Sequence, residues 1–120
     1  QTLPDFDLKT IKAVQGIGGV CNEGFKDWFD AFEYMKAEIN KSNYDICILG
    51  CGAYGFPLAA HVKRMGKKAI HMGGATQMLF GIKGKRWEDE YGEFMNEHWI
   101  RPSKEETPIN AMKIENGCYW

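Results

Sequence analysis

Between residues 26 and 40 apolar side chains recur at helical spacing. Trp28, Phe32, Met35 and Ile39 lie four, three and four residues apart, and Phe29 widens the stripe. Lys26, Asp30, Glu33 and Lys36 fall on the other side. The pattern predicts an amphipathic helix over 26–40 whose aromatic stripe packs against a sheet. Asn40, Ser42 and Asn43 turn the chain out of it, and the period then changes. Asp45-Ile46-Cys47-Ile48-Leu49 is a short apolar run of strand length, and Gly50-Cys51-Gly52-Ala53-Tyr54-Gly55 follows it directly. Phe56 to Met65 reads as a helix stopped by Gly66, and Lys68-Ala69-Ile70-His71-Met72 as a second strand that runs into Gly73-Gly74. Strand, glycine turn, helix and strand within about thirty residues is the layout of a βαβ unit with parallel strands.

Further along, a short helix is expected from Thr76, and Ile82 to Trp87 reads as a basic, glycine-broken loop. Glu88 to His98 places Tyr91, Phe94 and Met95, with Trp99 just beyond, on one side of a second amphipathic helix. Its acidic start suits the helix dipole. Pro102 and Pro108 bracket a polar loop, and 113–120 reads as irregular or extended. At the other end, residues 1–24 carry weak periodicity. Ile11-Lys12-Ala13-Val14 fits a strand or a helical turn, and Gly16-Ile17-Gly18-Gly19 follows no clear strand and reads as a loop. The expected class is α/β: one Rossmann-like domain over residues 1–120, in three α/β/α layers about a short, mainly parallel sheet. The opening Gln1-Thr2-Leu3-Pro4, without a methionine, reads as the interior of a longer protein.

Composition changes this picture little. A net charge of −1 provides no global basic field, so nucleic acid is not an expected partner. No apolar run approaches the roughly 20 residues a membrane span needs. Four Cys without a C-x-x-C spacing read as free thiols in a reducing compartment, hence the cytoplasm, rather than as a zinc site. Four Trp, five Tyr and seven Phe are many for 120 residues, so some aromatic rings are expected to line a groove or an interface, and homo-oligomerisation stays open.

The candidate chemistry sits where the strands end. In G-x-G-x-x-G the glycines serve separate ends. Gly50 permits a tight turn off the strand, Gly52 close approach of a ligand, and Gly55 close packing of helix and sheet. Pro57 suits the first helical turn, and the N–H groups from Ala53 through Tyr54 to Gly55 would form an anion seat. A dinucleotide site should show an acidic residue ending the second strand. Here that strand ends His71-Met72-Gly73-Gly74, and no Asp or Glu lies between Asp45 and Glu88. His71 is either satisfied by a backbone carbonyl, or a hydrogen-bond donor to a phosphate or sugar, or a general base. His61 is expected on a solvated face. Thr76 and Gln77 beside Gly73 and Gly74 add neutral groups of the kind sugars need. Lys83, Lys85 and Arg86 with Trp87 form the one locally basic patch, either a solvated loop or a phosphate clamp capped by an aromatic ring. No nucleophile–base pair and no metal-ligating cluster stands out.

The stretch GCGAYGFPLAAHVKRMGKKAIHMGGATQMLFGIKGKRW, residues 50–87, resembles the C-terminal part of bacterial proteins found with capsular and exopolysaccharide biosynthesis. Its plan is similar to the nucleotide-binding half of GT-D-type glycosyltransferases. That resemblance implies a Rossmann-like sheet holding a nucleotide sugar or sugar phosphate, with the acidic motif and any divalent metal supplied by residues outside this chain. The expected function is therefore the nucleotide-sugar-binding portion of a glycosyltransferase-like protein. The alternatives are a non-catalytic nucleotide- or sugar-phosphate-binding module, or a structural assembly domain that meets a partner through Trp87, Trp99 and Trp120.

Overall fold

The computed structural model describes residues 4–16 and 24–120. Most of the Gly16–Gly19 break, and Cys21, lie outside these. Helix α1 spans Trp28–Lys41. It starts where the Asp27 side chain accepts a hydrogen bond from the Asp30 N–H at 2.9 Å, an N-cap that satisfies one of the first turn's orphan donors. It ends at Ser42, whose N–H and Oγ donate to the carbonyls of Ile39 and Glu38. Ala31, Met35 and Ile39 are its buried residues, one face at spacings of four. Phe29 departs from expectation: it is 70% exposed and only edges onto Trp28 at the helix start, while the small Ala31 takes the position nearest the core.

Strand β1 (Ile46–Leu49) and strand β2 (Lys68–His71) form a two-stranded parallel sheet in which Cys47 pairs with Ala69 and Leu49 with His71. Helix α2 (Gly55–Arg64) crosses between them. Its end is a Schellman closure: Gly66, at φ +77°, donates to Lys63 O, and Lys67 N–H donates to Val62 O at 3.2 Å. That tight exit delivers the chain into β2, parallel to β1 and beside it. The α/β class therefore stands with a parallel sheet of two strands.

Paired residues of parallel strands share a face. The face carrying Cys47, Leu49 and Ala69 meets a core of Met35, Ile39, Tyr54, Leu58 and Val62 from α1, α2 and the turn before α2. Leu58 and Val62 are almost fully buried, each contributing about 1.5–3 kcal/mol by removal from water. The opposite face carries Ile46, Ile48 and Ile70, which remain 37–48% exposed. His61 is partly exposed, and its Nε2 lies 2.8 Å from Asn40 Oδ1 on α1; partial burial, with Lys36 nearby, pushes its pKa down.

Beyond β2 come two short helices, α3 (Thr76–Leu79) and α4 (Lys85–Tyr91). The expected loop at 82–87 and helix at 88–98 are both corrected. Helix α4 starts earlier, after extended Gly84, and ends at Tyr91, because Gly92 passes the chain into a single 3-10 turn and Met95 is extended. Ile82 makes a parallel bridge to Ile100. The 113–120 region is not extended: 3-10 turns form at Ala111–Lys113 and Glu115–Gly117. Residues 11–14 form neither strand nor helix, although Ala13 and Val14 pack on the core. No described helix is long and apolar enough to cross a membrane.

Candidate functional site at the strand ends

The two strands leave the sheet in the same manner. After β1 the chain reaches Gly52 at φ +53°, a 3-10 turn Gly52–Tyr54 and then α2; after β2 it reaches Gly73 at φ +58°, a 3-10 turn Gly73–Ala75 and then α3. Both glycines occupy the left-handed region that other residues enter at a cost, and a Cβ at either would meet nothing within 4 Å. The parallel register Leu49–His71 sets these two open glycine turns side by side.

One carbonyl ties them together. Leu49 O, at the end of β1, accepts from Met72 N–H at 3.0 Å, from Thr76 Oγ1 at 3.5 Å and from the His71 ring at 3.3 Å. Gly50 lies so close to the second loop that a Cβ there would sit 2.5 Å from Thr76 Oγ1 and 3.0 Å from Gly73 O. Gly50 therefore serves the contact between loops more than the turn itself. Gly55 has the packing role expected of it, since a Cβ there would overlap the His71 ring. A carbonyl only accepts, so His71 Nδ1 donates in this contact.

Two members of the first turn do other work than expected. Tyr54 is buried, its ring stacked on Trp28 at 5.0 Å, so it belongs to the core rather than to a ligand. The Tyr54 and Gly55 N–H groups are spent on the carbonyls of Cys51 and Gly52. Of the turn's N–H groups, those of Gly52 and Ala53, its first residues, have no partner within a helix. Cys51, between the first two glycines, is half-buried, and burial together with neighbouring Cys47 pushes its thiol up to about 11. It stays a protonated thiol at neutral pH and is no nucleophile there.

The second glycine loop also gathers the groups that follow it. Trp87 Nε1 donates to Gln77 Oε1 at 3.3 Å, and Gln77 Nε2 donates to Tyr119 O at 2.8 Å. The Tyr119 ring closes over Gly74, where a Cβ would come within 2.6 Å of it. Arg86 pairs with Glu115, reaches Tyr119 Oη at 3.4 Å and lies over the Tyr119 and Trp87 rings. Lys85 is exposed at the start of α4, and Lys83 donates its backbone N–H to Ile100 O. Gly74, Gln77 and Arg86 thus meet residues 115–119 of the same chain, and Trp87 meets Gln77 and Arg86.

Three residues escaped the sequence reading. Glu115 and Tyr119 lie in a region without periodicity, and nothing local marks them as partners of Arg86 and Gly74. Phe56, 76% exposed beside the first turn, was detectable: the buried positions Gly55, Leu58 and Val62 leave it on the outer side of α2. A cavity of about 220 Å3 lies elsewhere, among Ile82, Ile100, Arg101, Glu106 and Trp120. Trp87, Trp99 and Trp120 are all half-buried against their own chain. Among the described residues no three His, Cys, Asp or Glu side chains cluster as metal ligands. No family model, curated protein or solved structure matches the chain.

Proposed function

We propose that this chain is the nucleotide-sugar-binding portion of a glycosyltransferase-like protein of bacterial cell-surface polysaccharide synthesis, built on the Rossmann-like three-layer plan and working in the cytoplasm. The observation that carries the reading is the pair of open, left-handed glycines, Gly52 and Gly73, side by side at the carboxyl ends of parallel strands. Ligands of open α/β sheets bind at that edge. In this reading the Gly52 and Ala53 amides, at the positive end of α2, face the diphosphate. His71 Nε2 accepts from a ribose or sugar hydroxyl, Gly73 and Gly74 let the sugar approach the backbone, and Phe56 offers a ring to the base. Lys83, Lys85 and Arg86 offset the charge of the leaving diphosphate. A divalent metal and the catalytic carboxylates come from residues outside this chain.

The absence of any Asp or Glu from Ile46 to Trp87 favours a second reading, a module that binds the nucleotide sugar without performing chemistry on it. Thermal unfolding with UDP, GDP, UDP-glucose and NAD tests the shared premise. Ligand at a hundred times its Kd stabilises by about 2.7 kcal/mol. UDP-glucose is expected to raise Tm more than NAD does, and His71→Ala to remove most of the sugar's increment over UDP. No shift with any nucleotide rejects both readings.

A further inference from the structure

Residues 115–120 hold a conformation that is costly on its own. Glu115 and Asn116 lie at φ +45° and +56°, and Gly117 follows at +72°. Consecutive non-glycine residues in the left-handed region persist only where surrounding contacts over-determine them. Here Gly117 packs against Met112 and Ala111, and the other contacts fall on the second glycine loop and α4. Arg86 N–H donates to Cys118 O at 3.0 Å, Gln77 Nε2 donates to Tyr119 O, and the Tyr119 ring covers Gly74. A Cβ at Gly84 would be crowded by Cys118 O, Tyr119 O and Gln77 Oε1, each 3.2 Å from where it would stand. The ion pair from Glu115 to Arg86 is partly exposed, with side chains 53% and 35% accessible, so it contributes little by itself. The segment is strained and is seated on the groups that the nucleotide-sugar reading needs.

We propose that residues 115–120 are an autoinhibitory strap. Docked, it occupies Gly74, Gln77 and Arg86; displaced, it frees the backbone of Gly74, the Gln77 amide and the Arg86 guanidinium for a ligand diphosphate and sugar. The inference rests on the nucleotide-sugar reading of the strand ends. Strap and ligand compete for the same atoms, so the apparent affinity falls with the fraction of molecules that are strapped.

Two substitutions that leave the charge unchanged move the strap in opposite directions. Asn116→Gly relieves a left-handed residue and tightens docking, whereas Tyr119→Ala removes the ring over Gly74 and loosens it. Hydrogen exchange at the Arg86 amide reads docking directly, and UDP titration of the full chain reads competition. Asn116→Gly is expected to slow Arg86 exchange and weaken UDP binding by about two- to fivefold, and Tyr119→Ala to shift both the other way by about fivefold or more. Unchanged Arg86 exchange in Asn116→Gly overturns the strap, as does UDP affinity that ignores altered exchange in either variant. UDP bound equally by all three forms overturns the strap and leaves the nucleotide reading standing. UDP bound by none removes that reading and the strap's role with it.

Discussion

Replacing Gly50 by alanine is expected to destabilise the protein, although no alanine is unwelcome at its backbone angles. Gly50 is not among the left-handed glycines, so the cost is steric alone. The new Cβ would stand 2.5 Å from Thr76 Oγ1, 2.6 Å from Thr76 Cβ and 3.0 Å from Gly73 O, where ordinary contacts begin near 3.4 Å. Turning the threonine side chain moves Oγ1 but not Cβ, and Gly73 O is backbone. The two loops must therefore separate by about 1 Å, an overpacking that costs about 1–3 kcal/mol. For a chain of 120 residues, 2 kcal/mol lowers Tm by about 5–10 °C. Far-UV circular dichroism melts of Gly50→Ala, Thr76→Gly and the double variant measure the effect and its origin. Thr76→Gly removes both clashing side-chain atoms, so a positive coupling of about 1 kcal/mol or more is expected in the cycle. Gly50→Ala melting within about 1 °C of the parent, without coupling, would refute the contact between the loops.

At Gly55, whose angles are helical, alanine is favoured by about 1 kcal/mol on propensity but blocked by the His71 ring. Gly55→Ala should gain about that much in a His71→Ala background and gain nothing, or lose, with histidine present; equal effects in both, by urea titration, would rule the packing out. Leu58→Ala empties a site 1% exposed and should lower unfolding stability by about 2–5 kcal/mol, read from urea melts at constant m. The Cys51 thiol is held above its ordinary 9.0, at about 11, by burial and Cys47. The native state thus binds more protons, and this contribution to stability is full below pH 9 and lost as pH rises toward 11. Folded protein should accordingly react with iodoacetamide at Cys51 far more slowly than unfolded protein at pH 8, as judged by peptide mass spectrometry, and comparable rates would contradict the burial.

What was legible in the sequence follows from locality. Helix α1, both strands and helix α2 each announce themselves through a period, an apolar run or a glycine stop, because their boundaries depend on neighbours in the chain. Helix α4 is misplaced by its own pattern: the Tyr91, Phe94, Met95, Trp99 spacing mimics a helix, while Gly92 ends it after seven residues. The packing role of Gly55 is readable from the motif, whereas that of Gly50 depends on Thr76, twenty-six residues away. Tyr54 illustrates the opposite error: placed inside the motif, it is claimed by Trp28, a long-range aromatic stack that no local signal reveals. The engagement of Arg86 and Gln77 by residues 115–119 is invisible for the same reason, since a strained segment without periodicity carries no mark of where it docks.

The central claim, that the paired glycine turns at the strand ends seat a nucleotide sugar, is tested most directly by amide-resolved NMR titration of the 15N-labelled chain with UDP-glucose. The amides of Gly52, Ala53, Gly73 and Gly74 are predicted to shift together and saturably, with one Kd. Saturable shifts confined to the cavity beside Ile82, Ile100 and Trp120, or none at the glycine turns at millimolar ligand, would contradict it.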